Sequence, residues 1–220
     1  MGPKGQRNYI FASTCTMKNH LDAIVFDLGG VILNIDYDLT ARAFDKLGFN
    51  TFGKSYSQIG QNPLFDAFEK GQITATDFRI QLQELGQFKA SDQAIDDAWN
   101  AMLLDLPGER LELLLELGNR YALCLLSNTN IIHITEISNY LTRRFGMNDL
   151  SSVFQKEYLS FEMGMRKPDT EIFERVLEEN KLNPAKTLFI DDSIQHIEGA
   201  KKCGLQTHLL QKNETILDLF

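Results

Sequence analysis

Three short apolar runs, each ending abruptly in polar residues, set the pattern of this chain. Ala23-Ile24-Val25-Phe26 stops at Asp27 and is followed by Leu28-Gly29-Gly30-Val31. Tyr121 to Leu126 stops at Ser127-Asn128-Thr129-Asn130, and Thr187-Leu188-Phe189-Ile190 stops at Asp191-Asp192-Ser193. Unbroken apolar runs of this length read as strands buried on both faces. Helical periodicity separates them: a helix from near Pro107 is closed by Gly118, Ile172, Phe173, Val176 and Leu177 line one face of a second with Pro168 in its first turn, and Ile194, Ile197 and Ala200 line a third capped by Gly204. Val153 to Tyr158 and Leu205 to Leu210 are weaker strand candidates. Strand and helix alternating in this way predict an α/β fold, a Rossmann-like parallel sheet with helices on both faces. In such a sheet the carboxyl ends of the strands share one edge, where ligands bind.

From Asp36 to Leu106 the pattern changes. Amphipathic segments at Leu39 to Leu47, Asn62 to Glu69, Phe78 to Leu85 and Ala94 to Leu104 contain no buried strand, and Thr74 (with Asp77 three residues on) and Ser91 are placed as helix N-caps. About 70 residues of helix inserted after the Asp27 loop predict a helical cap over the sheet edge that carries Asp27. The expected organisation is a core of residues 21–35 and 107–220, a cap of 36–106, and a disordered extension over 1–20.

Composition narrows the class. The chain has 220 residues, 43% of them apolar, enough for a substantial core. A net charge of -8 argues against a nucleic-acid surface but not against a small anion held at a cleft. Cys15, Cys124 and Cys203 are odd in number and far apart, as expected of reduced thiols in a cytoplasmic protein. No apolar run approaches a membrane span, and residues 1–16 lack the apolar stretch of a secretory signal. The four histidines, at positions 20, 133, 196 and 208, share no metal-ligand spacing; His196 is expected at the surface or behind the site, and Trp99 inside the cap. A monomer or weak homo-oligomer is expected.

Asp27, Ser127, Lys167 and the Asp191-Asp192 pair stand in an order that suits phosphoryl transfer. Each alone has a plain structural reading, as a helix cap or a solvated charge. Two adjacent carboxylates after a buried strand repel each other unless a cation or donor lies between them, which favours metal binding. A carboxylate nucleophile facing an anionic phosphate needs a divalent cation such as Mg²⁺. Hydroxyl and amide groups can hold the phosphate oxygens, and a lysine can balance the charge that develops. Glycines beside the nucleophile, Gly29 and Gly30, let backbone groups approach metal and phosphate.

At this point a resemblance is plain. Val25-Phe26-Asp27-Leu28-Gly29-Gly30-Val31, Leu125-Leu126-Ser127-Asn128-Thr129-Asn130, Gly164-Met165-Arg166-Lys167-Pro168-Asp169 and Phe189-Ile190-Asp191-Asp192-Ser193 resemble, in order, the four motifs of the haloacid dehalogenase superfamily. The resemblance spans about Leu21 to Leu210 and implies aspartyl-phosphate chemistry with Mg²⁺. Under it, Asp27 would be nucleophile and metal ligand and the Gly29 carbonyl a further ligand. Ser127, Asn128, Lys167 and Gly30 would bind phosphate, with Lys167 bridging to Asp27. Asp192 would ligate Mg²⁺, with Asp191 a second ligand or an outer support.

One departure matters. Phosphatases of the superfamily typically carry a second Asp two residues after the nucleophile, as general acid and base, and here that residue is Gly29. The form Phe-Asp-Leu-Gly-x-Val resembles small bacterial phosphatases of α-D-glucose 1-phosphate, whose leaving group is a comparatively acidic hemiacetal oxygen. The resemblance therefore implies a Mg²⁺-dependent phosphatase of a small phosphorylated metabolite, a hexose 1-phosphate being preferred. The alternative is a weak or inactive phosphate-binding module. A receiver domain does not fit, because its acidic pair precedes the phosphoacceptor, whereas Asp191 follows Asp27 by 164 positions.

Overall fold

The computed structural model describes residues 21–56 and 62–220, so the expectation for residues 1–20 lies outside the described residues. Five parallel strands form one sheet in the order β3-β2-β1-β4-β5. They are β1 Ala23–Phe26, β2 Ala122–Ser127, β3 Lys156–Leu159, β4 Thr187–Asp191 and β5 Gln206–Leu209. The helices are α1 Tyr37–Lys46, α2 Phe52–Ser55, α3 Pro63–Glu69, α4 Ala75–Gly86, α5 Asp92–Asn100, α6 Gly108–Leu117, α7 Ile131–Phe145, α8 Ser160–Met163, α9 Thr170–Glu179 and α10 Ile194–Lys202.

The unbroken apolar strands follow from burial on both faces. Ile24 pairs in register with Leu123 and Leu188, and with Phe26, Leu125 and Ile190 these residues pack against Leu111 and Leu114 of α6 and Ile137 and Leu141 of α7. Val25, Cys124, Leu126 and Phe189 point the other way, onto Ile172, Phe173 and Val176 of α9 and Ile197 and Ala200 of α10. The period of two thus divides each strand between two cores, and neither face keeps a polar stripe.

Helices α1 to α5 form the cap, built around an aromatic cluster that includes Phe44, Phe52, Phe65, Phe78 and the fully buried Trp99. Its entry and exit strands run side by side: Asn34 N–H donates to the Asp105 carbonyl at 2.8 Å, and Leu104 N–H donates to the Asn34 carbonyl at 3.0 Å. That pairing ends α5 at Asn100, although the apolar pattern continues to Leu104. The Thr74–Asp77 capping box and the Ser91 cap both form.

Other boundaries shift for local reasons. β3 begins at Lys156, because Val153 and Phe154 turn back to bond the Leu150 carbonyl. Helix α9 begins at Thr170 after Asp169, so Pro168 precedes the helix and is joined to Lys167 by a cis peptide bond. Helix α10 is capped by Cys203, and Gly204 follows it at φ +80°. Gly199 lets α10 approach the Lys167-Pro168 turn, since a Cβ there would lie 2.5 Å from the Pro168 carbonyl oxygen.

Candidate active site

The carboxyl edge of the sheet gathers the polar strand ends. Asp27 follows β1 directly, its N–H bonded to the Ile190 carbonyl at 3.0 Å, while Ser127 ends β2 and Asp191 ends β4. Lys167 reaches this edge from the loop between α8 and α9. Its ammonium lies 2.7 Å from Asp27 Oδ1 and 2.7 Å from Asp191 Oδ2, and the residue has 0% exposure. Burial works against a charged lysine, but Asp191 and then Asp27 outweigh it and hold its pKa above the ordinary value. The ammonium is therefore a fixed positive charge.

The two carboxylates differ. Burial raises the pKa of Asp27; Lys167 opposes that effect and the neighbouring Asp191 reinforces it. At Asp191 burial is outweighed by Lys167 and by a hydrogen bond from His196, whose Nδ1 lies 3.0 Å from the carboxylate, so its pKa is lowered. Asp191 also accepts from Ser193 N–H at 2.8 Å. Asp191 is thus held as an anion by its donors, whereas Asp27 is the carboxylate whose charge burial disfavours.

Asp192 completes the cluster. Carboxylate oxygens of Asp27, Asp191 and Asp192 lie within 4.8 Å of one another. Three carboxylates against one ammonium leave an excess of negative charge, which suits a hard divalent cation with oxygen ligands. Gly30 permits this approach: its φ is +80°, and a Cβ there would meet Asp192 Oδ2 at 2.4 Å. Gly29 faces Ile35, whose Cδ1 would lie 3.2 Å from an added Cβ, so an aliphatic side chain occupies the space beside it.

The structure brings Asp27, Gly29, Ser127, Asn128 and Asp192 to one cavity, with Lys167 and Asp191 directly behind Asp27. Two expectations change. Gly30 N–H donates to the Leu33 carbonyl at 2.8 Å, so its amide is occupied and does not serve a phosphate. Asn128 spends its side chain on Lys167, donating from Nδ2 to the Lys167 carbonyl and accepting from the Lys167 N–H, both at 2.9 Å. This two-point clamp sets the loop from which the ammonium projects. The cap over helix α7 belongs to Asn130, whose side chain accepts from His133 N–H, rather than to Ser127-Asn128.

Other residues of the cavity wall were assigned no role in the site by the sequence pattern. Tyr37, Tyr56 and Glu69 come from the cap, and Arg166 and His133 from the core. Arg166 bonds Asp66 at 2.6 Å and Glu69 at 2.9 Å, tying helix α3 to the loop of Lys167, and Lys70 reaches Asp169 at 3.2 Å on the same loop. Burial, reinforced by nearby carboxylates, raises the pKa of both tyrosines, so their hydroxyls stay protonated. Arg166 lies inside the third motif and His133 three residues past the second, which is the one sequence cue for them; Tyr37, Tyr56 and Glu69 had none. A roomier cleft, of about 550 Å³, lies between α4, α5 and α7, but it contains none of the clustered carboxylates.

Residues 21–204 match the model of the haloacid dehalogenase-like hydrolases. The chain is 33% identical over 184 residues to a D-ribitol-5-phosphate phosphatase of Bacteroides thetaiotaomicron, covering 84% of this chain and 89% of that one. It is 25% identical to a sesquiterpene phosphatase of Aspergillus oryzae over 90% of this chain and 94% of the other. Among solved structures, a mutant haloacid dehalogenase-family enzyme of Bacteroides thetaiotaomicron, in complex with magnesium and inorganic phosphate, superposes with a TM-score of 0.85. That pair shares 36% identity over 91% of this chain and 98% of that one. The chain belongs to the haloacid dehalogenase-like hydrolase family, and its place there is among the phosphatases.

Proposed function

We propose that the protein hydrolyses the phosphomonoester of a small polyhydroxylated metabolite through an aspartyl-phosphate on Asp27, with Mg²⁺ as cofactor. Residues 21–35 and 107–220 act as the catalytic core and 36–106 as the cap. The observation that carries this reading is the placement of Asp27, a buried carboxylate at the sheet edge held 2.7 Å from a buried lysine inside a three-carboxylate cluster.

Asp27 attacks phosphorus; the new bond from its oxygen forms as the bond to the leaving oxygen breaks. Water then attacks the phosphorus as the bond from the Asp27 oxygen breaks, releasing inorganic phosphate and restoring the carboxylate; the proton that water gives up to solvent balances the one the departing oxygen takes from it. Lys167 holds Asp27 in line and offsets the charge on the transferring group. Ser127 offers its hydroxyl to phosphate oxygens. The N–H groups of Leu28 and Asn128, which meet no backbone acceptor among the described residues, lie beside it. Asp27, Asp192 and the Gly29 carbonyl would hold Mg²⁺, while Asp191, engaged by Lys167, Ser193 and His196, supports them from behind. Bound there, Mg²⁺ supplies neutralisation of the anionic phosphate.

Gly29 carries no acid for the leaving group, and Ile35 fills the adjoining space. General acid catalysis contributes roughly 10²–10⁴-fold, so its loss weighs least on an acidic leaving group, and this favours a hexose 1-phosphate. The ribitol-phosphate relative supports a second reading, an open-chain polyol phosphate. Phosphate release from α-D-glucose 1-phosphate, D-glucose 6-phosphate and D-ribitol 5-phosphate, with and without Mg²⁺, decides between them. The hexose 1-phosphate reading fails if the 6-phosphate or the ribitol ester turns over as fast, and the whole reading fails if none of them releases phosphate with Mg²⁺.

A further inference from the structure

Gly29 leaves the departing oxygen without an acid, but a phenol enters the same cavity from the residue two past Ile35. Ile35, which fills the space beside Gly29, lies in an extended stretch. It bridges to Leu103, Asp36 N–H bonds the Met102 carbonyl at 2.9 Å, and Asp36 has φ -140° and ψ 100°. Side chains two apart on an extended chain share a face, so Ile35 and Tyr37 point the same way, and both line the cavity that holds Asp27. Tyr37 is the first residue of α1, and the Asp36 cap that starts this helix fixes where the phenol begins. Its ring leans on that of Tyr56, with centroids 5.9 Å apart.

The Tyr37 hydroxyl is available to a substrate. The residue is half-buried; among the described residues its hydroxyl has no hydrogen-bond partner, and, unlike Arg166 Nε, it is not sealed from solvent. Burial keeps it protonated, and the carboxylates of Asp192 and Asp27 stand close enough to add to that effect. In-line displacement at phosphorus puts the leaving oxygen on the side away from Asp27. With Lys167 and Asp191 behind Asp27, that side is the one the cap covers, and α1 is a cap helix.

We propose that Tyr37 is a catalytic residue whose O–H donates a hydrogen bond to the oxygen of the leaving alcohol and stabilises the negative charge that gathers there as its bond to phosphorus breaks. Asp27 takes the phosphoryl, the departing oxygen takes a proton from solvent, and Tyr37 keeps its own, so the phenol ends the step unchanged. A fixed donor aimed at developing charge contributes most where most charge gathers, which is on the oxygen of the least acidic alcohol. Tyr37 thereby extends turnover from acidic leaving groups toward the primary alcohols of polyols, for which Gly29 supplies no acid.

This role rests on the phosphatase reading above, and the experiment separates the two. The specificity constant kcat/KM, which reports on formation of the aspartyl-phosphate, is measured with Mg²⁺ for four esters. They are p-nitrophenyl phosphate, phenyl phosphate, α-D-glucose 1-phosphate and D-ribitol 5-phosphate, in falling order of leaving-group acidity. Tyr37→Phe removes one oxygen and keeps the ring against Tyr56. Its loss relative to the wild type grows along the series, and is at least about ten-fold larger for the least acidic leaving group turned over than for the p-nitrophenyl ester. A loss equal within about two-fold for all the esters, or largest for the p-nitrophenyl ester, overturns the role, because a structural defect or a contact with the phosphate slows every ester alike. In that outcome the wild type still releases phosphate and the phosphatase reading stands. A wild type that releases phosphate from none of the four overturns that reading and the role of Tyr37 with it.

Discussion

Protonation of His133 should loosen the junction between cap and core by an amount that the structure sets. The imidazole is stacked on Trp99 with ring centroids 4.9 Å apart. Its Nε2 lies 3.2 Å from the Trp99 carbonyl, which can only accept, so Nε2 carries the proton. Its Nδ1 lies 3.2 Å from Asn130 Nδ2 and must accept. Asn130 cannot turn its amide over, because its Oδ1 accepts from Trp99 Nε1 at 3.3 Å and from His133 N–H at 3.1 Å. A proton on Nδ1 would therefore face a donor. Burial, opposed by the bond to the Trp99 carbonyl, pushes the histidine's pKa down from 6.5 to about 4. In that range the unfolded chain binds more protons than the folded one, so stability rises with pH. The contribution is complete above the unfolded value near 6.5 and is lost as pH falls through about 4. At 1.36 kcal/mol per pH unit it amounts to about 3 kcal/mol. Urea denaturation of the wild type and His133→Gln across this range isolates it, since the carboxylates that also titrate are common to both proteins. The stability difference between them shrinks by about 3 kcal/mol from neutral to acid pH. A difference that stays constant with pH would refute the assigned tautomer and the depressed pKa.

Two further substitutions probe the carboxylate cluster. Lys167→Met leaves Asp27 and Asp191 buried without their cation; the expected cost is about 3–5 kcal/mol in urea denaturation at neutral pH, partly recovered by Mg²⁺. A loss below about 1 kcal/mol, the scale of a surface pair, would show that the lysine does not hold them. Gly30→Ala forces a Cβ to 2.4 Å from Asp192 Oδ2 at φ +80°, so Asp192 must move. Calorimetric Mg²⁺ affinity is expected to fall at least about ten-fold, the size of effect seen when groups supporting metal ligands are lost; unchanged affinity would remove Asp192 from the ligand set.

What was legible in the sequence was what burial imposes locally. A strand covered on both faces must be continuously apolar, so β1, β2 and β4 stood out, and the residues that end them marked the edge where Asp27, Ser127 and Asp191 meet. Side-chain bonds made across the fold left no such trace. The apolar pattern runs through Met102 and Leu103 as though α5 continued, yet Met102 N–H bonds Thr40 Oγ1, and Leu103 bridges to Ile35. Val153 and Phe154 are buried like strand residues while lying in a turn. Asn128 looked like a phosphate ligand or a cap, and only the fold shows its amide clamped on Lys167, 39 positions away. Glu69 is an ordinary helix end, and Arg166 a motif residue with no role of its own, until a contact across 97 positions pairs them in the cavity wall.

The central claim is that Asp27 is the group that takes the phosphoryl. Mg²⁺-dependent phosphate release by Asp27→Asn, an isosteric change that keeps a partner for Lys167, tests it most directly. The account predicts a fall of at least about a thousand-fold relative to the wild type on the best ester. Activity retained within about ten-fold would contradict it and place the nucleophile elsewhere in the cavity.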